Sequence, residues 1–108
     1  MKRLLRVMFS LGLLTFALAT SAHAQSDANK TFQTNCSLCH GAHGAGDTPT
    51  GKALKAADLR SAAVQKSTDA ELASVIAKGR GKMPAFEKKL SPDVIKSLAA
   101  YIRQLPQN

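Results

Sequence analysis

The chemistry of this sequence is concentrated in one pentapeptide, Cys36-Ser37-Leu38-Cys39-His40. Two cysteines three positions apart on a helix share one face, and the histidine lies four positions beyond the first of them. C-x-x-C-H is the signature of haem attachment, in which both thiols bond to the haem vinyl groups and the imidazole binds the iron. The motif therefore predicts one covalently attached haem c, with thioethers at Cys36 and Cys39 and an iron ligand at His40.

Two other uses of the cysteines are less consistent with the sequence. A Cys36–Cys39 disulfide closes a very small loop and constrains the unfolded chain little, and a thioredoxin-like redox pair requires strands that the sequence does not predict. A structural zinc site needs four ligands. Beyond residue 24 the only cysteines and histidines are Cys36, Cys39, His40 and His43, crowded into one short segment with no second pair to complete a clamp.

The second axial position of the iron is predicted to be filled by Met83, the only methionine beyond residue 24. A thioether ligand favours ferrous iron and raises the reduction potential. The alternative role is a flexible core side chain, which the position in a Gly- and Pro-containing loop disfavours. His43 is the competing ligand, but it follows His40 so closely that it could not easily cross to the other haem face. We interpret His43 as an exposed loop residue.

Short helices joined by loops must position these residues, and the first helix is predicted from Asp27 to about Cys36. Ala28 and Phe32 lie four apart on one face of it. Residues 41–50 are rich in glycine and contain Pro49, so they are predicted to form a loop. A weakly marked short helix is predicted over residues 61–65.

Two later helices have clear end signals. Thr68 and Glu71 form a capping box that begins a helix with Leu72, Val75 and Ile76 at helical spacing, and Gly79 ends it. Residues 79–90 are predicted to be a second loop. The last helix begins with a Ser91 N-cap, Pro92 in the first turn and Asp93 beside the positive end of the helix dipole. Its apolar stripe comprises Val94, Ile95, Leu98, Tyr101, Ile102 and Leu105, and with no strand predicted the fold class is all-α.

Residues 1–24 are predicted to be a cleaved signal peptide, leaving residues 25–108 as one domain. A basic start is followed by an apolar run from Val7 to Ala19 and by Ala22-His23-Ala24, which has small residues where signal peptidase requires them. A retained membrane anchor is the alternative, but the run is shorter than the roughly 20 apolar residues of a span. After cleavage no stable membrane insertion is expected, and export places the protein in the bacterial periplasm.

The charge balance of the predicted mature chain is +5, because the leader removes three of 15 basic residues and none of the seven acids. Such a balance favours acidic partners or anionic surfaces. A nucleic-acid role is not supported, since the protein is predicted to be exported and its basic residues are not interleaved with aromatic residues.

Taken together, these residues resemble the class I c-type cytochromes, in particular the short bacterial and photosynthetic-type members. The resemblance covers residues 26–105 and rests on several segments in the same order: Phe32 to Cys36, Cys36-Ser37-Leu38-Cys39-His40, Pro49, Met83-Pro84-Ala85-Phe86, and Ala99-Ala100-Tyr101-Ile102. It implies short helices wrapped around the haem, with the first and last helices crossing through Phe32 and Tyr101. The family usually has glycine at the position of Ala28, so we expect a slightly wider crossing and an unchanged fold.

The resemblance also implies how the haem is surrounded. A backbone carbonyl in the proline-containing loop, that of Pro49 or a neighbour, is expected to accept a hydrogen bond from the His40 imidazole and so strengthen it as a ligand. The haem pocket is expected to be lined by Leu54, Leu59, Val75, Ile76 and Phe86, although each of these could equally be ordinary core.

The expected function is one-electron transfer between redox proteins rather than catalysis, since no distal acid and base pair is evident. The alternative is a haem-based peroxidase or a gas-binding sensor with labile methionine ligation. A docking surface for acidic redox partners is predicted around Met83, where residues 78–89 carry five basic side chains against Glu87. These side chains could instead serve solubility or pair with the haem propionates; they are Lys78, Arg80, Lys82, Lys88 and Lys89.

Overall fold

The computed structural model describes residues 23–106, so the predicted signal peptide lies almost entirely outside the described residues. Residues 23–35 are helical and are named α1. The helices that follow are α2 (Ser37–His40), α3 (Pro49–Leu54), α4 (Ala62–Gln65), α5 (Asp69–Lys78) and α6 (Pro92–Arg103). Within residues 23–106 there is no β-strand, only an isolated antiparallel bridge between Arg80 and Met83. The all-α class is confirmed.

The start of α5 follows the predicted capping chemistry. Thr68 Oγ1 accepts a hydrogen bond from Glu71 N at 3.1 Å, and the Glu71 carboxylate accepts one from Thr68 N at 2.7 Å. Together they satisfy two backbone donors that would otherwise lack a partner at the helix start. Ser61 and Ser91 cap α4 and α6 by accepting a hydrogen bond from the backbone N–H of Val64 and Val94, respectively.

The core is formed mainly where α5 packs against α6, with α1 contributing Phe32. Phe32 and Leu98 are each 1 % exposed and are its most deeply buried large side chains. Helical spacing brings the apolar residues of α6 to one side, which is the side that meets α1 and α5. The remaining buried members are Leu72, Ile76, Ile95, Ala99, Ile102 and Leu105.

Helices α1 and α6 meet through the predicted aromatic pair. The ring centroids of Phe32 and Tyr101 are 5.1 Å apart with an interplanar angle of 44°. The Tyr101 hydroxyl also donates a hydrogen bond to the Asn29 side chain at 3.2 Å. Ala28, which stands where the family usually has glycine, is buried. The contact between the first and last helices is therefore confirmed.

Helix α3 begins at Pro49, within the segment 41–50 that was predicted to be a loop, and continues beyond it to Leu54. The loop prediction was wrong only at residues 49 and 50, and the helix itself was not predicted. Thr48 is its N-cap and Pro49 its first residue, where the missing N–H costs no helical hydrogen bond. Gly51 is buried inside the helix and Lys55 ends it in the left-handed conformation. None of the helices in residues 23–106 has the length and apolar character needed to span a bilayer.

Candidate haem-binding site

The two cysteines lie at a break between α1 and α2. Cys36 is the N-cap of α2, and its backbone N–H still bonds to Phe32 O at 2.9 Å, so α1 and α2 run on with only one interrupting residue. Both thiols are free. Burial, with a smaller contribution from Cys39, raises the pKa of the Cys36 thiol to about 11. The raised pKa favours the protonated thiol of Cys36 at neutral pH, and within the described residues Cys36 and Cys39 do not form a disulfide.

His40, the last residue of α2, is oriented by a backbone carbonyl. Its Nδ1 lies 3.0 Å from Ala57 O. A carbonyl can only accept, so Nδ1 carries the proton and Nε2 keeps its lone pair for a metal. The sequence had suggested Pro49 or a neighbour as the acceptor. That assignment was wrong, because Pro49 begins α3 and the chain reaches the imidazole only after the helix has ended.

Met83 is held in a tight turn. Met83 N donates to Arg80 O at 2.9 Å, and Arg80 N donates to Met83 O at 3.2 Å. The turn begins at Gly79, where a Cβ atom would lie only 2.5 Å from Met83 O. Beyond it, Phe86 N bonds to the carbonyls of Ile76 and Ala77 at the end of α5, both at 3.1 Å. The methionine is thus tied on both sides to the end of α5.

The residues expected to line the haem pocket fall into two groups. Ile76 is buried in the core, and Leu59 and Phe86 are partly buried against it, as are Cys36 and Met83. Leu54 and Val75 are outside that core cluster. Leu54 is 39 % exposed and Leu38, between the cysteines, is 71 % exposed. One apolar core therefore supports both the Cys36 segment and the Met83 turn.

The donor set fits haem c better than zinc. Within residues 23–106 no group of three or more histidine, cysteine, aspartate or glutamate side chains is arranged to hold a metal ion. His43 lies exposed in the loop after α2. By contrast, two free thiols and an imidazole with its Nδ1 already engaged are the donors that attachment of a haem requires. Cys36, Cys39 and His40 would attach and ligate the haem, with Met83 as the second axial donor.

The predicted docking residues are all exposed, and within residues 23–106 none of them forms an ion pair. They lie on both sides of the Met83 turn, and Glu87 is the one acidic residue in the segment 78–89. Their positive charge is therefore available to solvent and to a partner; they are Lys78, Arg80, Lys82, Lys88 and Lys89.

Sequence reasoning missed the contacts behind the attachment segment, which involve Thr48, Gly51 and Ala57. A threonine followed by proline is an N-cap signal that could have revealed α3. Nothing in the sequence marks the Ala57 carbonyl, because every residue has one. Only the tertiary path of the chain assigns it to His40.

Residues 23–102 match the protein family described as "Cytochrome C oxidase, cbb3-type, subunit III". Among solved structures, the KustC0563 c-type cytochrome superposes with a TM-score of 0.68 at 29 % sequence identity, covering 74 % of this chain and 98 % of that one. Both matched regions take in a large part of the described chain, which contains the Cys36–His40 motif and the Met83 turn.

Curated relatives include cytochromes c6 and subunits of cbb3-type cytochrome c oxidases. Cytochrome c6 of Nostoc sp. (strain PCC 7120) is 38 % identical over 98 residues, covering 89 % of this chain and 86 % of that protein. Cytochrome c6 of Picosynechococcus sp. (strain PCC 7002) is 34 % identical over 115 residues, covering 100 % and 97 %. The cbb3-type cytochrome c oxidase subunit CcoP of Azospirillum brasilense is 35 % identical over 89 residues, but the match covers only 30 % of that longer protein.

Proposed function

The chain belongs to the class I c-type cytochromes, which carry a covalently attached haem c, and we propose that it is a periplasmic one-electron carrier with iron ligated by His40 and Met83. The observation that carries the proposal is the hydrogen bond between His40 Nδ1 and Ala57 O. It fixes the tautomer in which Nε2 can bind iron, and it increases the donor strength of the imidazole.

Met83 is the proposed second ligand because its turn is built for precise placement. The paired Arg80–Met83 backbone bonds fix the turn itself, and the Phe86 bonds fix its position relative to α5. A thioether held by this turn would need to move little when a bound iron changes its charge. Large rearrangement of the ligands slows electron transfer, so an electron carrier must avoid it.

When bound, the haem supplies an iron that gains or loses one electron. The protein supplies the rest: two thiols for attachment, two axial donors, and an apolar wall that excludes water. Leu59, Ile76 and Phe86, which lie in or against the core, are proposed to form that wall, and Leu54 and Val75 are proposed to complete it. Exclusion of water raises the reduction potential and reduces reorganisation on electron transfer.

The exposed basic residues around Met83 are proposed to dock acidic redox proteins. Five cations and one acid in residues 78–89 give this surface a local charge of +4. Long-range attraction of that sign speeds the encounter with an acidic partner and weakens as salt is added. The surface around Met83 is then the proposed place at which electrons would leave.

The periplasmic location is proposed from the leader of residues 1–24, and it fits a haem that is attached after export. Catalysis by the protein itself is not part of the proposal. A haem-based peroxidase or a gas sensor with labile methionine ligation remains the alternative outcome of the test below.

The test is an anaerobic redox titration with optical spectra, on protein made in a host that matures haem c. We expect covalent haem, a weak absorption band at the red end of the ferric spectrum, and no carbon monoxide binding by the ferrous protein at neutral pH. Met83→Ala should abolish the red band and admit carbon monoxide. The neighbouring Lys82→Ala should leave both unchanged. Ready carbon monoxide binding by the unaltered protein would overturn the carrier proposal in favour of the sensor or peroxidase.

A further inference from the structure

The hydroxyl of Thr48 is hydrogen-bonded to the backbone of the haem-attachment segment, residues 36–40. Thr48 Oγ1 lies 2.6 Å from Leu38 O and 3.2 Å from Cys39 O, and it accepts a hydrogen bond from Gly51 N at 2.9 Å. The hydroxyl has one hydrogen, which the shorter contact uses. One side chain thus caps α3 and, at the same time, holds a carbonyl of α2 that has no partner within that short helix.

Gly51 brings α3 to the same segment at a distance that no other residue permits. A Cβ atom there would lie 2.0 Å from Cys39 O and 2.9 Å from Thr48 Oγ1. Glycine inside a helix costs about 1 kcal/mol relative to alanine. The close backbone contact explains why a glycine stands at this helical position.

The same helix also leads to the carbonyl that orients His40. Ala56 N donates to Gly51 O at 2.8 Å, which fixes the chain just before Ala57. Gly46 N donates to His40 O at 2.7 Å, and a Cβ at Gly46 would lie 2.9 Å from Ala57 O. The backbone of the attachment segment and the acceptor of the imidazole proton are therefore both fastened to α3.

We infer that Thr48 and Gly51, here named the α3 clamp, are positioning residues that set the His40–Ala57 hydrogen bond and through it the donor strength of the axial imidazole. The inference rests on the proposed ligation of iron by His40, and it does not depend on Met83. If the clamp loosens, α2 and Ala57 are no longer fixed to a common support. The imidazole proton then exchanges more readily, and the imidazole becomes a weaker donor. A weaker donor stabilises ferric iron less relative to ferrous iron, so the reduction potential rises.

The test uses ferrous holoprotein and two readouts, the solvent exchange rate of the His40 Nδ1 proton by NMR and the reduction potential. Thr48→Val keeps the shape and removes the hydroxyl, and Gly51→Ala separates α3 from Cys39. Thr48→Ser restores the hydroxyl. Thr50→Val is the matched control on the same helix, because the α3 N-cap and the contacts with Leu38 O and Cys39 O belong to Thr48 and not to Thr50. Thr48→Cys, with a weak donor of similar size, replaces Thr48→Val if that variant yields too little holoprotein.

We expect the His40 proton to exchange about tenfold faster in Thr48→Val and Gly51→Ala, with a raised potential, while Thr48→Ser and Thr50→Val resemble the unaltered protein. The backbone amide of buried Leu98 reports global opening in the same samples. Faster exchange at His40 alone supports the clamp. Unchanged exchange at His40, or acceleration shared equally by Leu98, overturns it. The red band reports Met83 ligation separately, so failure of the carrier proposal is distinguishable from failure of the clamp.

Discussion

Gly79 and Gly81 lie two positions apart in the turn that presents Met83, yet the structure constrains them differently. Both have positive φ, at +74° and +56°. Gly79 has ψ of 172°, a region that is almost restricted to glycine, and a Cβ there would meet Met83 O at 2.5 Å. A Cβ on Gly81 would meet nothing within 4 Å. Substitutions at the two positions therefore distinguish the cost of backbone strain from the effect of displacing the Met83 turn.

Gly79→Ala is expected to lower the free energy of unfolding by about 3 kcal/mol and to weaken the red methionine band. Gly81→Ala, which adds only the strain of a positive φ, is expected to cost about 1 kcal/mol and to leave the band intact. Chemical denaturation and ferric optical spectra of the two holoproteins provide the measurements. Equal effects on the band would show that Gly79 does not place Met83.

Lys55 is the non-glycine residue with positive φ in the described chain, at φ 57° and ψ 44°, where it ends α3. Lys55→Gly should relieve this strain and raise the free energy of unfolding by about 1 kcal/mol. Lys52→Gly is the matched control, since it removes the same charge from a helical position of α3 and should cost about 1 kcal/mol. Thermal unfolding of both variants measures these two changes in stability. Destabilisation by Lys55→Gly would mean that its side chain makes a contribution larger than the strain.

At the scale of elements, α5 and α6 were predictable because their ends are marked by short-range chemistry. Thr68 with Glu71, and Ser91 before Pro92, satisfy backbone donors whatever the rest of the fold does. Helix α3 was missed because Gly51 disfavours a helix locally and is retained for a tertiary contact with Cys39 O. Propensity read along the chain cannot include a contact of that kind.

The candidate site also contains some residues that the sequence could predict and one that it could not. Cys36, Cys39 and His40 were readable because the haem chemistry fixes residue types and spacing. The acceptor of the His40 proton was not, because Ala57 acts through its backbone carbonyl and any residue could supply one. Side-chain chemistry leaves a mark in the sequence, and backbone chemistry does not.

The contact between α1 and α6 can be tested at Tyr101, which offers a ring to Phe32 and a hydroxyl to Asn29. Tyr101→Phe removes only an exposed hydrogen bond and should lower the free energy of unfolding by about 0.5 kcal/mol. Tyr101→Leu also removes the aromatic pair and should cost about 1 kcal/mol more. Denaturation of both holoproteins gives the difference. Equal losses would show that the ring contact contributes nothing beyond its apolar area.

At the scale of the whole molecule, the two proposed iron ligands come from opposite parts of the chain and rely on one core. The segment of Cys36 extends from α1, and the Met83 turn is tied to the end of α5. Both α1 and α5 pack on α6 through the buried cluster. A small domain cannot bury much surface by itself. Sharing one core between folding and haem binding explains how so short a chain can hold two ligands at a fixed separation.

The distribution of charge over the molecule gives the last prediction, which concerns electron transfer with small redox reagents of opposite charge. The predicted mature chain has a net charge of +5, so oxidation of the ferrous protein by anionic ferricyanide should be faster at low salt than at high salt. Oxidation by a cationic cobalt(III) ammine should be slower at low salt than at high salt. A uniform positive charge would produce the same trend. The position of the charge must therefore be varied while its total is held constant.

Two triple variants make that comparison, each replacing three exposed lysines with glutamine. Lys82, Lys88 and Lys89 are replaced around the Met83 turn, and Lys30, Lys66 and Lys96 are replaced on α1, after α4 and on α6. At an ionic strength of about 0.1 M, we expect the first triple variant to slow ferricyanide oxidation at least about threefold and the second to slow it by less. At that ionic strength, charges more than about 10 Å from the transfer point are largely screened, so lysines on other elements should contribute less than those around Met83. Stopped-flow rates across a salt series measure both. Equal slowing by the two variants would mean that net charge alone attracts the anion, and the docking surface around Met83 would be rejected.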